Sequence, residues 1–382
     1  MKGFFSKIWK WKVILVMAFS FLCVISSFLP PSWFWGLYFL SYALPVALVF
    51  NLLLMGFYLF FKKHFWLISI STTLCFIGFR NNVSFGGKEQ DVTAAYSLMS
   101  YNVRLFDFYN WLDGKAWDKW KERTDNGAVL DSIYETLELS NADFLCLQEF
   151  FNQKSGEYRT EKTLRDMGYR YRHIAYSRSA KLNQYGIATF SKYPIIHKED
   201  TFFTRKNFNN GVLITDVKAN RDTFRIINVH LESFKLGRKD YLYLNQLSDS
   251  ALVSMQKQPT KDLIHKIKLA SEARATQLNY LLNLIELSPY KVLLCGDFNE
   301  LPNSYLYRQI AGVLEDSFLE VGVGLGSTLP SRLPGLRIDY VFHSTGLRAV
   351  SHNIVNVALS DHYPILFRFK NLPLELLHNA NL

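Results

Sequence analysis

Two regimes of hydrophobic patterning divide the chain. From Val13 to Leu29 every residue is apolar or small, a second apolar stretch runs from Ser32 to Phe61 broken only by Pro45 and Asn51, and a third covers Phe65 to Phe79. A hydrocarbon layer about 30 Å thick takes about 20 helical residues. The pattern therefore predicts three transmembrane helices, at about 13–29, 37–60 and 64–80. A cleaved leader competes for the first stretch, but further apolar segments follow it and no small-x-small site precedes Pro30. Residues 81–92 (NNVSFGGKEQDV) are polar and contain glycine, so they read as a linker between an anchor, 1–80, and a domain, 93–372, with 373–382 as a tail.

Beyond the linker the period changes. Short β-rich runs (Ala95–Val103, Phe144–Gln148, Tyr185–Phe190, Val212–Val217, Phe224–His230, Val292–Cys295, Ile338–Phe342, Ile365–Phe369) alternate with amphipathic segments. Ala128–Leu139 places Leu130, Ile133, Tyr134 and Leu137 on one helical stripe, and Asp262–Leu287 does the same with Ile264, Ile267, Leu278, Leu281 and Ile285. Many strands with few helices between them predict two packed sheets flanked by helices, although spacing alone does not decide it.

The formal charge of +10 suggests nucleic acid until it is partitioned. Residues 1–80 hold seven basic and no acidic residues, leaving 36 basic against 33 acidic for the remainder. Basicity thus belongs mainly to the anchor and orients it. Lys2 to Lys12 and Lys62–Lys63 prefer the cytoplasmic side, so three spans deliver the domain to the non-cytoplasmic face. Were Phe65–Phe79 to lie in the interface instead, the domain would stay cytoplasmic. The four cysteines, Cys23, Cys75, Cys146 and Cys295, sit in apolar runs without zinc or disulfide spacing and read as buried thiols.

Candidate chemistry recurs at the ends of apolar runs, where a strand would deliver a side chain to one rim of a sheet. SYNVR carries Asn102, FLCLQEF Glu149, INVHLES His230, LLCGDFNELP Asp297 and Asn299, RIDYVF Asp339, and SDHYP Asp361 and His362. Carboxylates, amides and imidazoles without a nucleophilic Ser or Cys signature suit metal-assisted attack of water on a phosphate ester. Hard cations such as Mg²⁺ take oxygen ligands, the ion neutralises phosphoryl charge, and imidazoles transfer protons near neutral pH. Zinc would want a denser His or Cys set.

These motifs, with YGIATFSKYPI, resemble in order and spacing the endonuclease/exonuclease/phosphatase superfamily of deoxyribonuclease-like, metal-dependent phosphoesterases over about residues 95–370. GDFN alone is moderately specific; the ordered set is highly so. The resemblance implies a four-layer α/β/β/α sandwich of two mixed sheets, here preceded by transmembrane helices. It implies Mg²⁺ or Mn²⁺ held at Glu149 with Asn102 and Asp361 nearby. Asp297 would orient or deprotonate water, Asn299 hold a phosphate oxygen, His362 with Asp339 act as base or electrostatic partner, and His230 face the leaving group.

Arg104 resembles a phosphate-contacting arginine. Arg274, seven residues after Ile267 and four before Leu278, puts a cation on an apolar stripe and would reach a carboxylate, a substrate phosphate or solvent. The aromatic run Phe106–Trp120 would stack bases, touch lipid or simply pack. The remaining histidines read as structural or exposed. The substrate stays open between nucleic acid and a lipid or small-molecule phosphoester, and no protein partner is implied. The rival is a membrane-bound scaffold that has lost catalysis. Its mark would be substitution at Glu149, Asp297, Asn299 or His362, and all four are in place. A transporter would want ionisable groups within the spans, which are lacking.

Overall fold

Two six-stranded sheets carry the domain. One runs in the spatial order Leu347–Ile354, Ile365–Asn371, Tyr96–Asn102, Phe144–Gln153, Asn183–Ser191, Tyr171–Ala180, and the other Glu315–Asp316, Asp339–His343, Lys291–Asp297, Asp222–His230, Gly211–Ala219, Ile195–Phe202. The computed structural model describes residues 2–33, 35–61, 65–86, 95–109, 128–203, 210–234, 257–331 and 335–372. In each sheet the central pair is parallel and the other pairs antiparallel, so both sheets are mixed. A parallel pair needs a long crossover. Helix Ala128–Ser140 supplies one and helix Lys257–Glu286 the other.

Alternation along the strands sorts side chains into three apolar layers. Leu98, Phe144, Phe224, Ile226, Leu293, Val341 and Phe367 fill the space between the sheets. On one outer face Leu130, Ile133 and Leu137 pack against Met99, Leu145 and Leu147. On the other, Leu278 and Leu281 pack against Ile227 and Leu294. The result is the four-layer α/β/β/α arrangement, with all four cysteines free and buried.

Upstream lie four helices, α1 (Lys2–Ser26), α2 (Trp35–Tyr42), α3 (Leu44–Phe61) and α4 (Phe65–Phe79). The expected single helix over 37–60 is corrected: it breaks at Ala43 with a bend of 54°. Pro45 accounts for the break, because a proline is accommodated in a first turn but not in a helix interior. No single helix among the described residues is long and apolar enough to cross a membrane, and only α2 with Leu44–Leu59, as a bent pair, passes that test.

The expected linker is also partly structured. Arg80–Asn82 form a 3₁₀ turn and Ser84–Phe85 pair with Val323–Gly324, while 87–94 lie outside the described residues. Carbonyls in the last turn of α4 and in the 3₁₀ turn that follows accept from the domain's arginines, Gly78 O from Arg308 Nη2 at 3.0 Å and Asn81 O from Arg337 Nη2 at 2.7 Å. Cations are favoured at a helix C-terminus, where carbonyls lack partners.

Candidate active site

The parallel strand pairs end side by side, and their ends build the site. In one sheet Asn102 is in register with Gln148; in the other His230, Asp297 and Asp339 lie abreast on three adjacent strands. Asn102 Nδ2 spans the two sheets and donates to Asp297 Oδ2 at 3.0 Å. The same oxygen lies 3.5 Å from His230 Nε2 and 3.7 Å from His362 Nε2. His230 Nε2 is 3.9 Å from Glu149 Oε1. Asp297 thus sits at the focus of side chains delivered from both sheets.

Backbone irregularities aim two of these groups. Leu147 and Phe150 both face the outer core, and Gln148 faces inward, where its Nε2 donates to Asn228 Oδ1 at 2.7 Å. The pairing shifts register between Leu147 and Phe150, and Glu149 has φ +49°. An extra residue in a strand re-aims a side chain, so Glu149 joins the cleft instead of the helix layer. At Gly296 φ is +137°, and a Cβ there would lie 2.0 Å from the Val229 carbonyl oxygen. Only glycine lets the Asp297 strand approach the His230 strand so closely.

Electrostatics separate the carboxylates. His362 Nδ1 lies 2.9 Å from Asp339 Oδ2, and both are buried. Burial pushes Asp339 above the usual carboxylate range, His362 opposes this, and Asp297 adds to it. Burial alone would lower His362, but Asp339, Asp297 and Asp361 raise it well above its ordinary value. The imidazole therefore holds the pair's proton at neutral pH. Glu149 is raised by burial, with His230 lowering it and Asp361 raising it further.

A cation fits this donor set. Hard ions take carboxylate oxygens, and one at Glu149 would offset the burial and the repulsion from Asp361. Asp297, Asp339 and His362 also offer ligand atoms within 4.8 Å of one another. Asp339 and His362 Nδ1 are engaged with each other, however, so that trio is better described as a His–Asp pair beside a carboxylate.

Of the other expected residues, Asn299 lies next to the focus at φ +52°, with its N–H donating to Asp297 Oδ1 at 2.9 Å and its Nδ2 to Leu231 O at 3.2 Å. Asp361 meets Arg104 Nη1 at 3.1 Å, which puts Arg104 at the rim. Arg274 is corrected. It is fully buried, with Nε donating to Glu300 Oε1 at 2.7 Å and Nη1 to Glu232 O at 2.5 Å. No phosphate reaches it there.

The aromatic run lies outside the described residues beyond Tyr109. His173 bonds Thr215, His352 bonds Ser317, and His343 stacks on Phe367, all buried in the body. Supporting residues that the sequence does not single out are Thr328, whose Oγ1 accepts from the Asp339 N–H at 3.2 Å, and Ser360, the first residue of SDHYP, whose Oγ donates to Asn102 O at 2.8 Å.

A family model described as "Endonuclease/Exonuclease/phosphatase family" matches residues 99–362, and a domain of unknown function matches residues 6–83. None of the curated proteins matches. Among solved structures the chain is similar to an endonuclease/exonuclease/phosphatase from Beutenbergia cavernae, at 15% identity and TM-score 0.50 over 73% of this chain and 72% of that one. It is likewise similar to the human nocturnin catalytic domain with bound sulfate, at 15% identity and TM-score 0.50 over 72% of this chain and 94% of that one.

Proposed function

The chain belongs to the endonuclease/exonuclease/phosphatase family and is a hydrolase acting on phosphoester bonds, and from that premise we propose that it is a membrane-anchored, Mg²⁺- or Mn²⁺-dependent phosphoesterase working at the Asp297 cleft. The observation that carries this is the convergence on Asp297 Oδ2 of Asn102, His230 and His362. Glu149 is the main metal ligand, with Asn102 and Asp361 close by. When bound, the ion neutralises phosphoryl charge and eases ionisation of water. Asp297, held by Asn102 and the Asn299 N–H, orients the attacking water and takes its proton. Asn299 turns its amide to a phosphoryl oxygen. His362, oriented by Asp339 and protonated, stabilises charge on the pentacoordinate phosphorus. His230 faces the leaving oxygen.

The anchor rests on different support. Trp11, Leu15, Val46, Leu53, Trp66 and Phe76 are among many large apolar side chains exposed on the outside of the four helices. Soluble monomers seldom present contiguous apolar surface on that scale. Inside, Asn51 Nδ2 donates to Ser20 Oγ at 2.8 Å, linking α3 to α1. Although none of them qualifies as a span by itself, we place α1, α3 and α4 in the bilayer as one packed bundle, with α2, the first arm of the bent pair, at its surface. Phe28 after α1, then α2, and the end of α4 all touch the domain, which fits three crossings and a non-cytoplasmic catalytic face. On this reading residues 1–80 form the anchor, 81–92 the connection, 93–372 the catalytic domain and 373–382 a tail.

Two experiments test it. The full chain, in detergent, is incubated with bis(p-nitrophenyl) phosphate, plasmid, single-stranded DNA, RNA, sphingomyelin vesicles and inositol phosphates. Hydrolysis of at least one in Mn²⁺, lost by at least about 100-fold in EDTA, is expected; turnover indifferent to EDTA would end the metal assignment. The panel also decides between nucleic acid and lipid. Reporter fusions after Phe61 and after Asn82 should report opposite faces, and matching signals would reject the crossing by α4.

A further inference from the structure

A buried polar cluster joins α2 to the residue that follows Asn299. Glu300 is 2% exposed, and three side-chain donors reach its carboxylate. Arg274 Nε donates to Oε1, Tyr38 OH also donates to Oε1, and Tyr42 OH donates to Oε2 at 3.0 Å. Tyr38 and Tyr42 touch each other, and Arg274 Nη2 lies 3.5 Å from Tyr38 OH. Three residues on, Asn303 Nδ2 donates to Ser41 O in the same helix. The backbone is held as well, since Tyr340 OH donates to Glu300 O at 2.7 Å.

Of the donors to the Glu300 carboxylate, two come from outside the catalytic domain. A buried ion pair is stable only while its remaining lone pairs are satisfied. Remove the α2 hydroxyls and Oε2 loses its tyrosine donor, in a place water does not reach. The carboxylate would then lean toward other donors and pull on the turn 297–300, against the tie that Tyr340 OH makes to the Glu300 carbonyl. Asn299, already at positive φ, is the next residue along. Its amide and its N–H to Asp297 Oδ1 both depend on that turn.

We propose that Tyr38 and Tyr42 of α2 are positioning residues for hydrolysis, acting through Glu300 and Arg274 on the Asn299 turn. The N-terminal helices thereby set the geometry of the active site. This rests on the cleft being the hydrolytic site, and the test separates the two ideas.

The full chain carrying Tyr38→Phe with Tyr42→Phe, and one carrying Tyr42→Phe alone, are compared with the unaltered protein on bis(p-nitrophenyl) phosphate in Mn²⁺. The double variant should lose about tenfold in kcat, with KM changed by less than about twofold, because misplacing a group that acts in the transition state lowers kcat. Amide hydrogen exchange should quicken across 298–304 and stay unchanged across 291–297, in a protein that still melts cooperatively although at a lower temperature because the buried carboxylate has lost donors. Asn51→Ala, which disturbs the helices away from Glu300, should leave kcat and that exchange unaltered. Equal kcat and equal exchange in both tyrosine variants would overturn the proposal, as would the same losses in Asn51→Ala. If the double variant does not fold, Tyr42→Phe decides alone, on kcat and on exchange. A wild-type chain inactive on every phosphoester would instead condemn the functional assignment, and the exchange comparison would still decide the role of α2.

Discussion

Asp297→Ala in the full chain should lower kcat on a phosphodiester by about 10³- to 10⁴-fold, equivalent to roughly 4 to 5.5 kcal/mol of barrier. Asp297 Oδ2 is the one atom that Asn102, His230 and His362 all face, so its loss would remove the proposed proton acceptor for the water together with the group that holds Asn102. Asn299 loses the acceptor of its N–H in the same stroke. Asp297→Asn, which keeps shape and the Asn102 acceptor, should be nearly as inactive, because an amide does not take up a proton. The measurement is steady-state turnover in Mn²⁺ beside a thermal melt of each variant. Either variant folded and within tenfold of wild type would remove Asp297 from the chemistry.

Glu149→Gln should weaken Mn²⁺ binding by at least about 100-fold, since even partners of metal ligands cost 10- to 100-fold. The stability consequence runs the other way. Burial raises the pKa of Glu149 in the folded chain, so above its unfolded value the folded state has the greater tendency to keep a proton. Ionising Glu149 as pH rises through that window therefore costs stability in the metal-free protein. The neutral glutamine should melt at the same temperature as metal-free wild type or higher at neutral pH, while the upward shift that Mn²⁺ gives wild type disappears. Isothermal titration with Mn²⁺ and paired melts read both. Unchanged Mn²⁺ affinity would move the metal elsewhere in the cleft.

How much of this was legible in the sequence follows from where each strand lies. The runs expected as strands are central in their sheets, buried on both faces and therefore continuous in apolar residues. Those with no such signal, Tyr171–Ala180, Ile195–Phe202 and Leu347–Ile354, lie at sheet edges or, like Glu315–Asp316, are very short. Ile195–Phe202 is largely exposed and reads IIHKEDTF, the charged composition that protects an open edge.

Asn102, His230 and Asp297 are legible because each ends a central strand, while Asp339 begins one and Asp361 and His362 sit in the loop that leads into Ile365–Asn371. That Glu149 faces the cleft is not legible, since it depends on a bulge that no side chain announces. Thr328 is invisible for a related reason, since one hydroxyl in a loop has no period to break; Ser360 lies inside SDHYP, but nothing in that run marks it as the donor to Asn102 O. Arg274 stands out as a cation on an apolar stripe, but its partners, Glu300 and Tyr38, are 26 and 236 positions away.

The arginine contacts that clamp the end of α4 leave almost no slack between the helices and the domain. An enzyme on a loose leash sweeps a hemisphere whose radius grows with the length of the leash. In the proposed topology this one patrols a single height above the lipid. Its encounter rate would then follow lateral diffusion in two dimensions, and lengthening the chain around residues 87–94 would do little to extend its reach.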